Sequence, residues 1–486
     1  MSGKSNYLKR GINYYKRNGF TKSFFKAAER LMADKAQKDY RHNPAGEEEI
    51  AAQKEHVFEN PYRFSILVPV YETNPQLFRK MLDSVGDQTY GNWELILADA
   101  SADELRRGIV REFTEEYGLK CKDIYGSVFD KVTYIKLTEN KGISANTNEA
   151  LARAKGDYVG LLDHDDVLEN TALFDIMSAI EKEENIGRSS ESIKKIMAVY
   201  TDEDKVSEDG SVYFDPNFKP GFDPVLLCTN NYICHFFVAD TELVKGTGGF
   251  RPEYDGAQDH DIILRCLEGV RRDRIIHVPN VLYHWRSTDN STAENPESKL
   301  YAYEAGKRAV ADYFKRAGVG VKVTDLPHLG FFELGYDFCP KTVETITKEQ
   351  FEQRCKDKEG LPDTEFVMIL SSGLEPVNDD YLADMMSVMN RPHTGAVTGK
   401  IIDRSNKIES AGFDIDDTGT PLARNAGLSK HFSGYMHRAS LDRLSDAFSP
   451  DCVLLRTEAV KETDPEIKLK EGFDIYYRAN AVFKRR

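Results

Sequence analysis

The stretch Asp157-Tyr158-Val159-Gly160-Leu161-Leu162-Asp163-His164-Asp165-Asp166 decides how the chain is read. Residues 158–162 form a short apolar run, and three carboxylates follow within four positions. A buried strand that stops abruptly in acids has a specific use. In open α/β sheets, ligands sit at the carboxyl ends of the strands. Carboxylates placed there can hold a divalent cation, and the cation can hold a diphosphate. The same pattern also suits a solvated turn or the acidic start of a helix. The rest of the chain must choose between them.

Working outward, apolar runs alternate with amphipathic stretches. Residues 63–71 (RFSILVPVY), 93–98 (WELILA) and 132–137 (VTYIKL) read as strands, with helical spacing over 75–88, 102–117 and 143–154 between them. Strands and helices alternating at this pitch predict an α/β fold with a mostly parallel sheet flanked by helices. Downstream, 170–184 reads as a helix, and 195–200 (KIMAVY) as a strand ending in Thr201-Asp202-Glu203-Asp204. A strand is expected near 232–239. Gln258-Asp259-His260-Asp261 opens a helix over 261–269, residues 274–278 and 281–286 are strand-like, and 296–317 is a longer helix. Strand signals return at 365–370 (EFVMIL), 395–402 and 452–455. These place boundaries at 1–55 for a basic helical extension, 56–320 for the main domain, 321–364 for a linker and 365–486 for a second module.

Composition narrows the function. The 486 residues carry a net charge of −15. Residues 1–42 hold eleven Lys/Arg against three acids, a net of +8, so the remainder carries −23. An acidic body argues against nonspecific nucleic-acid binding. The basic head, with interleaved Tyr, Phe and Leu, suits either contact with an anionic membrane surface through residues 1–45 or an ordinary solvated helix. Seven scattered cysteines without a CxxC pair suit reduced thiols. With no signal peptide and no apolar run near the ~18 residues of a membrane span, the expectation is a cytoplasmic protein, at most peripheral to the inner face of the membrane.

Six ordered motifs then carry a resemblance: Ser65-Ile66-Leu67-Val68-Pro69-Val70-Tyr71, Asp99-Ala100-Ser101, Asn140-Lys141-Gly142, Asp163-His164-Asp165-Asp166, Gln258-Asp259-His260-Asp261 and Tyr283-His284-Trp285-Arg286. Through them residues 64–317 resemble the family 2 inverting glycosyltransferases of GT-A (Rossmann-like) fold that build bacterial surface polysaccharides. Residues 365–486 resemble the same family more faintly, as an incomplete module in which Ser371-Ser372-Gly373 replaces the acids.

The resemblance implies a nucleoside-diphosphate sugar donor, a glycan or lipid-linked glycan acceptor and a divalent metal, Mn²⁺ or Mg²⁺. It implies Asp165 as metal ligand, Asp163 on the ribose or sharing the metal, and His284 as a further ligand, against a packed histidine beside Trp285. Asp259 is the expected base, with Asp261 its rival as either base or helix cap. Pro69, Tyr71, Glu72, Asp99, Lys141, Asn146 and Asn148 are the expected nucleotide contacts. His235 and Cys234 are expected to join no metal set. Two other functions stay open: a nucleotidyltransferase, although no Gly-rich phosphate loop follows the first strand, and a non-catalytic glycan-binding scaffold.

Overall fold

In the computed structural model, the strand over residues 63–71 forms as Phe64–Val70 (β1), because an apolar run of this length can be buried on both faces between neighbouring strands. The structure describes residues 25, 27–29, 39–118, 121–123, 131–188, 195–287, 300–338, 341–463 and 467–486. Most of the basic head therefore lies outside the described residues, and with it the expected helix and membrane contact. Among the described residues no helix is long and apolar enough to cross a membrane.

The chain divides into two compact units. One comprises Gln37–Phe222 and Asn231–Tyr313; the other includes Asp223–Asn230 and Phe314–Arg486. The first unit contains β1, Trp93–Asp99 (β2), Cys121–Asp123 (β3), Val132–Lys136 (β4), Tyr158–Leu161 (β5), Val167–Leu168 (β6), Ala198–Ser207 (β7), Tyr213–Asn217 (β8), Phe237–Asp240 (β9) and Ile275–Ser287 (β10). They form one sheet in the order β3-β4-β2-β1-β5-β9-β7-β10-β6, with β8 beside β7. β1 pairs in parallel with β2 and with β5, and β2 in parallel with β4. β9 is antiparallel to both β5 and β7, so β7 and its parallel partner β10 run the same way as β1. Only β6, β8 and β9 oppose that direction.

Helices flank the sheet, as their apolar faces require. Helix Pro75–Gly86 starts on an Asn74 cap, whose side chain accepts the Gln76 N–H, and buries Leu77, Phe78, Met81, Leu82 and Val85. Gly160 has no alternative, because a Cβ there would lie 2.6 Å from the Phe236 ring. The common orientation of β1, β2 and β5 brings Pro69, Asp99 and Asp163 to one edge of the sheet.

Two expectations change here. The acids at 202–204 do not end a strand. β7 runs through them to Ser207, and Asp202, Glu203 and Asp204 are buried within the sheet, each beside a cationic or imidazole partner. The described residues of the span 321–364, expected as a linker, are structured. They hold the hairpin Val321–Asp325 (β11) and Phe332–Tyr336 (β12), then Val343–Ile346 (β13) and the helix Lys348–Lys356. β13 offers only two apolar residues in four, too few to announce a strand.

The second unit continues with Phe366–Leu370 (β14), Leu374–Pro376 (β15), Thr394–Ile402 (β16), Ile408–Ser410 (β17), Phe413–Ile415 (β18), Pro421–Ala423 (β19), Arg443–Ser445 (β20), Cys452–Arg456 (β21), Val460–Glu462 (β22), Lys468–Leu469 (β23) and Asp474–Arg485 (β24). Its main sheet has the order β13-β14-β21-β16-β24-β15, with β17 beside β16 and β20 beside β24. β18–β19 and β22–β23 are separate hairpins. β13 is parallel to β14, β16 is parallel to β24, and β21 is antiparallel to both β14 and β16. This is the order and sense of β1-β5-β9-β7-β10-β6. The module repeats that run of the first sheet and, among the described residues, has no counterparts of β2–β4.

Candidate active site

At the edge where β1 and β5 end, a cleft opens in the first unit. Its lining joins Leu67 and Pro69 of β1, Ile143 and Thr147 of the helix Ile143–Leu151, Leu161 to Asp163 after β5, His235, Phe250, and Gln258 with Asp259. Asp163 and Asp259 lie 96 positions apart in sequence and share this cleft.

The loop after β5 is fixed from β10. Asp166 is buried and accepts the Tyr283 hydroxyl at 2.5 Å and the Arg286 N–H at 2.7 Å. Burial first, then the charges of Asp165 and Asp163, push its carboxyl well above the ordinary range. Asp166 thus braces the loop, while Asp163 faces the cleft. The Asp165 side chain stays partly exposed with His164 3.7 Å away, and its carbonyl accepts from Arg286 Nε at 2.7 Å.

Asp259 sits in the first turn of the helix Gln258–Leu267. Its Oδ2 accepts from the Asn231 amide at 2.8 Å and lies 3.4 Å from the Cys234 thiol. Burial raises the thiol's pKa well above its usual value, so the sulfur keeps its proton and can donate. The rival Asp261 is buried and committed elsewhere. Arg251 and Arg265 both pair with its carboxylate, the latter at 2.7 Å.

Residues 231–235 rest on a residue the sequence reading passed over. Lys219, fully buried, donates to the carbonyls of Ile233 (2.6 Å) and His235 and to Glu203 Oε2 (3.2 Å). A lysine inside an aromatic- and proline-rich stretch was the available signal. His235 stacks on Tyr283 with ring centroids 4.5 Å apart, and the donor atoms of Asp163, Asp166 and His235 all lie within 4.8 Å of one another. His235, expected to join no metal set, is thus the imidazole beside the strand-end carboxylates. His284 is not. Its Nδ1 lies 2.6 Å from Asp204 and its Nε2 3.3 Å from Glu169. Neighbours on a strand face opposite sides, so Tyr283 and His284 serve different clusters.

The expected nucleotide contacts divide. Pro69 lines the cleft, and Tyr71 follows it half exposed. Glu72 adopts a left-handed backbone (φ 46°), and its side chain accepts the Ala102 N–H at 2.9 Å. Asp99 is fully buried. Its oxygens take the Ser101 N–H at 2.8 Å, the Tyr134 hydroxyl and Lys136 at 3.3 Å. Lys141 is exposed and paired with Glu139 at 3.0 Å. Asn146 bonds Asn140 at 3.0 Å, and Asn148 grips the Phe250 backbone through both ends of its amide, at 2.7 and 2.8 Å. Asn148 therefore anchors the loop that lines the cleft.

Comparison with known proteins finds relatives of part of the chain. Residues 65–206 match the family model described as glycosyl transferase family 2. The chain is 29% identical over 457 residues to the protein named "Uncharacterized protein y4gI" of Sinorhizobium fredii, covering 81% of this chain and 48% of that one. It is 30% identical over 262 residues to the O-antigen biosynthesis protein RfbC of Myxococcus xanthus, covering 54% of this chain and 18% of that one. The chain thus spans about half or less of these curated relatives. Among solved structures, S. aureus TarS 1-349 in complex with UDP-GlcNAc aligns with TM-score 0.38 and 18% identity over 52% of this chain and 66% of that one.

Proposed function

From a chain that carries a glycosyl transferase family 2 domain over residues 65–206, we propose an inverting transferase that moves a sugar from a nucleoside diphosphate to a growing cell-surface glycan. The observation that carries the proposal is the shared cleft of Asp163 and Asp259 at the carboxyl edge of β1 and β5. In this reading Asp259 takes the proton of an acceptor hydroxyl as its oxygen attacks the anomeric carbon. The bond from that carbon to the diphosphate breaks in the same displacement. Asn231 and Cys234 occupy one carboxylate oxygen and so fix the direction of the other.

The donor set fits a divalent cation. Asp163 and Asp166 supply hard oxygens and His235 a nitrogen, a mixture that suits Mn²⁺ better than Mg²⁺, and Asp165 would join them from the same loop. When bound, such a cation supplies Lewis-acid stabilisation of the departing diphosphate. Pro69, Tyr71 and the edge residues after β2 would flank the nucleotide. The second unit would support the first or contact acceptor, since Ser371 and Ser372 stand where its carboxylates would be. The basic head would favour work beside an anionic membrane face.

A donor panel of UDP-, dTDP- and GDP-sugars, followed by thermal shift with Mn²⁺, tests the proposal. One nucleotide class should raise the melting temperature, because ligands that bind the native state stabilise it. No shift with any donor would contradict it.

A further inference from the structure

His284 was expected beside the diphosphate, and the fold turns it to another set of donors. Glu169 follows β6, His284 lies on β10, and His42 precedes the first described helix of this unit, Glu47–Glu55. Glu169 Oε2 lies 3.1 Å from His42 Nε2 and 3.3 Å from His284 Nε2, so both imidazoles face one carboxylate oxygen. All three donor atoms lie within 4.8 Å of one another. Atoms held ~2.05 Å from a common centre at tetrahedral angles are about 3.3 Å apart, close to the 3.1 and 3.3 Å between Glu169 Oε2 and the two ring nitrogens.

The surroundings orient these donors. His284 Nδ1 meets Asp204 Oδ1 at 2.6 Å, and the other Asp204 oxygen accepts the Tyr40 hydroxyl at 2.7 Å. A carboxylate on the far ring nitrogen is the usual way a metal-binding histidine is held, because it keeps Nε2 unprotonated and aimed. Tyr213 stacks on His42 with ring centroids 4.1 Å apart and meets His284 edge-on at 4.8 Å, walling the group. His284 is 2% exposed, and a dication between neutral imidazoles would balance the charges of Glu169 and Asp204.

We propose that His42, Glu169 and His284 bind a transition-metal cation of zinc type, separate from the Asp163 edge. Two nitrogens and one oxygen suit Zn²⁺, whereas Mg²⁺ and Ca²⁺ take oxygen shells. The cation staples residue 42 to the strand on which Tyr283, just before His284, braces the 163–166 loop.

The test uses the full chain, stripped by chelator and titrated with Zn²⁺ alone, without nucleotide. Besides any cation held at the Asp163 edge, the chain should take up one equivalent at this site. His42→Ala and Glu169→Gln should each abolish this uptake, and Asp204→Asn should weaken it by ~10–100-fold. Asp163→Asn and Asp165→Asn should leave it unchanged, which separates this site from the proposed catalytic one. Co²⁺ in place of Zn²⁺ should give visible d–d bands that His42→Ala removes. Matched circular dichroism of the stripped variants shows that folding is intact. No uptake, uptake unchanged in both His42→Ala and Glu169→Gln, or uptake lost in Asp163→Asn would each overturn the proposal.

Discussion

The two main sheets share a strand order and differ in what stands at their edges. After β5 come Asp163, Asp165 and Asp166; after the matching β14 come Ser371, Ser372 and Gly373. The match extends to irregularities. β10 loses register with β7 after Val278, and β24 loses register with β16 after Arg478, at the corresponding place. Across that break the first sheet buries Asp202 against His277 at 2.7 Å, while the second buries Lys400. In the second unit the carboxylate before β21, Asp451, is held by Lys348 and Arg485, both at 2.8 Å. A shared backbone plan is thus compatible with opposite electrostatics. One edge gathers negative charge around a cleft; the other pairs its acid with cations. Fold alone does not carry the chemistry, because function lives in the residues grafted onto it.

The largest effect expected from breaking this contrast is at Asp259. Asp259→Asn should lower kcat by ~10²–10⁴-fold or more, while nucleotide affinity measured by calorimetry stays within a few-fold of the parent. Normal turnover would move the base elsewhere. Asn231→Ala should lower kcat by about tenfold with a smaller effect on KM, because it frees the carboxylate to rotate without removing it. Equal losses at both positions would mean that Asn231 contacts substrate itself.

A smaller effect, on stability, sharpens the other side of the comparison. Burial pushes the Lys400 amine down to about 8, although the Asp442 charge opposes the shift. Its folded pKa lies below the unfolded value of ~10.4, so the unfolded state binds more protons between those limits. Stability contributed through this group should therefore rise from pH 8 toward pH 10. Lys400→Met should raise the melting temperature at pH 7 and flatten that rise, by on the order of 1–3 kcal/mol. The smallest expected effect is that of Ser371→Asp. It should add no metal-dependent nucleotide binding, because no second carboxylate and no imidazole accompany it in residues 371–373.

Much of the fold was legible because buried strands announce themselves as apolar runs. β1, β2, β5, β14 and β16 all lie within a residue or two of their apolar stretches. Asp163 and Asp259 were legible for a related reason: a strand end and a helix start fix where a side chain emerges. The histidines were not. The register break inside β10 removes the alternation by which one would count faces, so sequence could not tell that Tyr283 points to Asp166 and His284 to Asp204. Asn148 and Lys141 are a different case. Both flank or lie on a helix beside the cleft, and only the partners Phe250 and Glu139 reveal that they are already engaged. Only the partners Arg251 and Arg265 reveal that Asp261 is already paired. The repeat was faint in sequence because its strands kept burial and direction while its edge residues changed.

In the proposed function, carboxylates at the first sheet's edge hold a cation that holds a diphosphate. Calorimetric titration of nucleoside diphosphate into the full chain, with and without Mn²⁺, tests it most directly when repeated on Asp165→Ala. Binding should strengthen with Mn²⁺ in the parent and lose that dependence in the variant. Equal, Mn²⁺-enhanced affinity in both would contradict it.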